Sequence, residues 1–196
     1  EAASVYHGLH TGDARKSLLP PAAGPAMAPD LTLRNWQSTD EIGTREAEFV
    51  ACEVYDGAGH ARRQFAEGEQ IRIRLRVLAR DRVPVLHAAF QIVDRHNRAL
   101  YGVSTVHRES AGLELSAGTA AQLELEIPGR LGAGEYLIDV ALGWGDRGDG
   151  AFTHHCHRVG GIASLSVGRV APRAQFLGPV DLAAKLEWTS ADGNQR

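Results

Sequence analysis

The chain has 196 residues, enough for one domain with its own core plus a flanking segment. Its 21 Lys and Arg against 24 Asp and Glu give a formal charge of −3, which argues against a general nucleic-acid binder, since phosphate contacts need a net basic surface. No run approaches the roughly 18 apolar residues that span a bilayer, and the two cysteines, Cys52 and Cys156, make no disulfide framework.

In chain order, residues 1–40 read as a linker without the basic start and apolar centre of a signal peptide. Leu19–Pro29 (LPPAAGPAMAP) is a tract whose prolines remove backbone donors and whose small side chains offer little area to offset ordering entropy. A linker at the start implies that another domain precedes it. With no leader and no disulfides, a reduced, cytoplasmic protein is expected.

From Arg45 the hydrophobic period is two. Arg45–Asp56 reads as a strand stopped by the turn Asp56-Gly57-Ala58-Gly59. Glu69–Ala79 alternates most clearly, with Ile71, Ile73, Leu75 and Val77 inward and Gln70, Arg72, Arg74 and Arg76 outward. Val85–Val93 and Leu100–Val106 form a hairpin about Asp94-Arg95-His96-Asn97. Ala121–Ile127 sets Leu123, Leu125 and Ile127 against Gln122, Glu124 and Glu126. A tight turn at Gly132–Gly134 opens a strand with Tyr136, Ile138, Val140 and Leu142 on one face. A glycine-rich loop follows, then a last regular strand at Ala163–Val167 and a further one at Leu177–Leu182. Only Val180–Trp188 hints at a helical period. The expected class is all-β: a two-sheet antiparallel β-sandwich of jelly-roll or immunoglobulin-like type over residues 41–190, with 191–196 as a tail.

Enzymatic signals are poor. Ser104 and Thr105 lie near His107, but no G-x-S-x-G supplies the strained turn that exposes a serine nucleophile. Asp94, Asp139, Asp146 and Asp149 offer carboxylates for glycoside chemistry, although Asp146 and Asp149 fall in a Gly-Asp turn sequence. Neither G-x-x-x-x-G-K-[ST] nor G-x-G-x-x-G occurs, so no nucleotide cofactor is expected. The run Phe152-Thr153-His154-His155-Cys156-His157-Arg158 carries good zinc ligands, but no second Cys/His pair stands at a structural-zinc spacing, and no metal is expected. It reads instead as a loop beside a binding face, contributing His155 and His157, which in an extended chain would share a face, or as a plain polar loop. The arginine row on Glu69–Ala79 reads as cross-strand ion pairing or as an anion grip.

A binding face fits better than an active site. Sugars are recognised by aromatic faces and planar polar groups, and a sheet presents such groups in rows. Alternation turns His87 and Gln91 away from the core, and Asp139 likewise opposite Ile138 and Val140. Tyr101, Thr105 and His107 share one side of the returning hairpin strand, and Trp144 stands at a strand end as a stacking platform or a lid over the core. No catalytic residue is assigned.

Several segments together resemble the C-terminal carbohydrate-binding domain of the ATP-binding subunit of polysaccharide O-antigen ABC exporters (Wzt-type). They are the hairpin with LYGVST at Leu100–Thr105, LGAGEYLIDV at Leu131–Val140, EIGTREAEFV at Glu41–Val50 as an opening strand, FAEGE at Phe65–Glu69, and GPVDL at Gly178–Leu182 running on to Trp188. The resemblance covers roughly Glu41–Trp188. It implies non-catalytic recognition of an O-antigen polysaccharide, often at a modified end, on the cytoplasmic side of the inner membrane, coupling glycan completion to export. It further implies a homodimer joined through the sandwich and terminal strand. ATP hydrolysis and contact with the permease would belong to a preceding nucleotide-binding domain. Two rivals stay open: an assembly module that only dimerises the transporter, and a glycan-modifying enzyme using Asp139 or Asp146.

Overall fold

The computed structural model describes Trp36, Ser38, residues 40–169, Phe176 and residues 178–184. The Pro/Ala/Gly tract, Trp188 and the 191–196 tail lie outside the described residues. The described chain is two sheets enclosing one core, antiparallel throughout except for one short edge pairing.

Glu41–Ile42 (β1) pairs with the last strand, but the chain then leaves that sheet. Gly43 at φ 132° and Arg45 at φ 71° make the exit, and Ala47–Asp56 (β2) runs in the other sheet. The single opening strand expected over Glu41–Val50 is thus two short elements in different sheets, because positive-φ backbone cannot continue a ladder. Gln64–Ala66 (β3) is the parallel exception, lying against the last strand. Ile71–Ala79 (β4) is central in a three-stranded sheet with β2 and Ala120–Ile127 (β8). Its inward residues Ile71, Ile73, Leu75 and Val77 are buried. Register sets Arg72 opposite Glu126 and Arg74 opposite Glu124, and Arg74 Nη2 lies 3.1 Å from Glu124 Oε1. At Arg72 and Arg74 the arginine row is therefore cross-strand ion pairing, while Arg76 stands opposite Gln122.

Val83–Asp94 (β5) and Ala99–Ser104 (β6) form the expected hairpin. Asn97 sits at φ 60°, and the Asp94 carboxylate accepts the His96 and Arg98 backbone N–H groups. Hydrogen bonding from the Arg98 guanidinium helps pull Asp94 down to about 2. The returning strand stops at Ser104, and a 3₁₀ turn at Val106–Arg108 follows. Leu113–Leu115 (β7) pairs beside β5.

Gly134–Asp146 (β9) and Phe152–Gly168 (β10) form a long hairpin. The large sheet runs β1-β10-β9-β5-β6. The stretch expected as a glycine-rich loop beside a His/Cys cluster is mostly strand, since only the tip between Asp146 and Phe152 turns. Two register shifts, at His155/His157 and Val159/Ala163, break the alternation that would otherwise have identified it. Over Leu177–Leu182 the described residues show a single bridge, Leu131 to Val180, instead of a strand. Before β1, Trp36 is buried in the core cluster and Ser38 Oγ donates to the Gly160 carbonyl. Cys52 and Cys156 are both buried, and burial pushes their thiols up to about 11 and about 12.

Candidate glycan-binding groove

The outer face of the large sheet carries an open groove of about 590 Å³. Strand register explains it as three rows. One row runs Gly102–Gln91–Asp139 across β6, β5 and β9. The next runs Ser104–Ala89–Ala141–Arg158 and reaches β10. The third, His87–Gly143–His155, borders the groove and enters its lining only at His155. Residues paired across strands share a face, and rows repeat at about 6.8 Å along the strand. Small residues in these rows (Gly102, Ala89 and Ala141) leave a floor, and Gln91, Asp139, Arg158 and His155 stand around it.

Glycine is needed at two of these points. A Cβ at Gly143 would meet the His154 carbonyl oxygen at 2.2 Å, and one at Gly102 would press on Gln91 Cγ at 3.0 Å. Gly143 thus permits close strand approach, and Gly102 leaves Gln91 its space.

Two of the polar groups have a physical anchor. Asp139 Oδ1 accepts the Gly161 N–H at 2.8 Å, so the second bulge of β10 fixes the carboxylate. His107 is carried back by the 3₁₀ turn: its Nδ1 accepts the Ser104 N–H at 3.0 Å, and Nε2 lies 3.0 Å from the Asp149 carbonyl oxygen. That contact holds the β9–β10 tip over one end of the groove, with Asp149 and Gly150 in its lining. Exposed Ile42 flanks the opposite strand edge. The His155 imidazole is held below the ordinary histidine value of 6.5 by partial burial, then by the Arg158 and Arg147 charges. It therefore stays neutral at pH 7, able to donate and accept. In Arg158→Ala one of these charges is gone, and the His155 midpoint followed by NMR should move upward; a midpoint unmoved or lowered would contradict this.

Of the residues expected on the binding face, the groove brings together Gln91, Asp139, His107 and His155. His87 and Thr105 stand just beyond it as a bonded pair, with His87 Nδ1 3.0 Å from Thr105 Oγ1. Three do not join. Tyr101 is paired with Ile92 and its ring tilts on Phe90 at 5.9 Å, so it belongs to the inner face at the sheet edge, where it remains 44% exposed. Trp144 is paired with His154 and stacks on its ring at 3.7 Å, again on the inner side; of its two expected roles it takes that of a lid over the core. His157 is 0% exposed: its Nδ1 accepts the Phe49 N–H at 3.0 Å, and Nε2 sits between Arg45 and Glu41. The bulge at Cys156 places Cys156 and His157 both inside, so His155 and His157 part instead of sharing a face.

Arg158 and Phe152 are groove residues that the sequence reading missed, because both lay in a segment taken for a loop. Ala89 and Ala141 carried a usable signal: small residues at outward positions of strands otherwise rich in large ones.

A family model described as the Wzt C-terminal domain matches residues 38–182. A solved structure, "Crystal structure of the C-terminal domain of wzt", superposes with a TM-score of 0.65 at 16% sequence identity, covering 76% of this chain and 87% of that one. No curated protein matches the chain. The fold superposes on a Wzt domain and the family match spans most of the sequence; the chain belongs to the Wzt C-terminal domain family.

Proposed function

We propose that this domain binds a bacterial O-antigen polysaccharide in the groove across β6, β5, β9 and β10, without catalysing its modification. The observation that carries the reading is the set of rows itself: hydrogen-bonding side chains of mixed type, Asp139 among them held by a backbone N–H, around a floor of small residues. Such a surface suits a ligand rich in hydroxyls, and its three-row depth suits several sugar units. Asp139 acts here as an oriented acceptor for sugar hydroxyls, and Arg158 supplies a fork of donors that also suits a carboxylate or phosphate substituent. Ile42 offers an apolar edge to sugar C–H surfaces.

In this reading the domain belongs to the ATP-binding subunit of an ABC exporter at the cytoplasmic side of the membrane. It pairs as a homodimer, and glycan capture here couples completion of the polymer to transport by the permease. Membership of the Wzt C-terminal domain family supports that setting.

The test is titration of O-polysaccharides with single variants. Gln91→Ala and Arg158→Ala should each weaken binding by about tenfold to a hundredfold, the effect of losing one or two well-placed hydrogen bonds. Arg74→Ala, on the other sheet, should bind as the wild type does. Undiminished binding in both groove variants would place the glycan elsewhere.

A further inference from the structure

On the inner side of β10, opposite the groove face, three metal-ligating side chains meet. Glu46 lies just ahead of β2; His154 and Cys156 stand two apart on β10. Their carboxylate oxygen, imidazole nitrogen and thiol sulfur all fall within 4.8 Å of one another, and His154 Nε2 is 3.2 Å from Glu46 Oε2. We propose that Glu46, His154 and Cys156 form a binding site for a zinc-type divalent cation, joining the segment ahead of β2 to strand β10 and so one sheet to the other.

Four observations converge on this. First, the donor set is one nitrogen, one sulfur and one oxygen, which suits Zn²⁺ or Co²⁺ and not Mg²⁺ or Ca²⁺, whose sites are built from oxygens. Second, the spacing fits. Metal–ligand bonds of about 2.0–2.3 Å in a tetrahedron set ligands about 3.3–3.7 Å apart, so small side-chain adjustments suffice. Third, the frame is built by the backbone: Thr44 N–H donates to the His155 carbonyl at 3.2 Å and Arg45 N–H to the Cys156 carbonyl at 2.8 Å. Gly43 allows that approach, since a Cβ there would lie 2.3 Å from the Cys156 oxygen. Fourth, the ligands have outer partners. The Trp144 ring stacks on His154 at 17° and fixes the imidazole plane, and Thr44 Oγ1 hydrogen-bonds the Glu46 carboxylate, the kind of support that orients a metal ligand.

Glu46 and thiolate together balance the charge of a divalent ion. Glu46 and His154 are half-buried, so the fourth position opens to water. The ion would brace the sandwich and leave the glycan groove on the far face unaltered, so this site stands or falls independently of the glycan reading.

The experiment uses the tag-free 196-residue chain, stripped with a chelator and titrated with Co²⁺. One equivalent should produce thiolate-to-cobalt charge transfer in the near ultraviolet and visible bands with tetrahedral intensity. Zn²⁺ should displace the cobalt and raise the melting temperature. Cys156→Ser should abolish the charge-transfer band, while Cys52→Ala should keep it. His154→Gln, at a half-buried position, should weaken cobalt binding by about tenfold or more. Should Cys156→Ser fail to fold, the His154→Gln titration decides alone. Absence of the charge-transfer band in the wild-type chain, or cobalt affinity unchanged in His154→Gln, would overturn the proposal.

Discussion

Leu75→Ala should lower the unfolding free energy by about 2–5 kcal/mol, whereas Arg74→Ala, one residue away, should cost less than about 1 kcal/mol. Leu75 is fully buried at the centre of β4, between Cys52 of β2 and Leu123 of β8. Truncation there removes transfer free energy and leaves a cavity that a three-stranded sheet cannot close without shifting both neighbours. Arg74 is 41% exposed, lies over the Tyr55 ring and pairs with Glu124, which is itself exposed. Solvent screens such a pair, and its loss strands no charge in the interior. Urea unfolding of both variants checks this. Equal midpoint shifts would mean that the buried face of β4 is misassigned.

His157→Ala should be comparably damaging, about 2–5 kcal/mol, while His155→Ala should change stability by less than about 1 kcal/mol. The His157 ring is wholly buried and tilts against Phe49 at 5.6 Å. Its loss opens a cavity and strips the Phe49 N–H of its acceptor at a depth that water does not reach. His155, two residues earlier, faces the groove. Guanidinium or urea denaturation separates the cases, and a mild His157→Ala would contradict the bulged register of β10.

These two histidines also show how far the chain was legible as a sequence. Alternation carries the fold wherever a strand keeps its period: Ile71 to Val77 and Tyr136 to Leu142 are buried as a period of two requires. It fails at bulges, because one extra residue sends every later side chain to the other face. Hence His157 reads as a partner of His155 and is buried, and Arg158 is overlooked. Trp144 illustrates an ambiguity of a different kind. The even-numbered stripe through Val140 and Leu142 continues inward to Trp144, but an aromatic at a strand end beside glycines looks like an exposed platform. Tyr101 sits on the inner face of an edge strand, where exposure comes from the sheet ending and not from the face it occupies. The grouping of Glu46 with His154 and Cys156 has no local signal, since Glu46 and His154, 108 positions apart, are brought together by the sheet switch at Gly43–Arg45 and the β10 register.

The most direct test of the central claim is a screen of the 196-residue chain against purified bacterial O-polysaccharides, followed by calorimetric titration of the strongest ligand. The groove rows predict saturable binding by the wild type. They also predict a loss of about a hundredfold or more in Gln91→Ala/Arg158→Ala, with the unfolding midpoint of that variant close to wild type. No binding to any O-polysaccharide, or wild-type affinity in the folded double variant, would contradict the account.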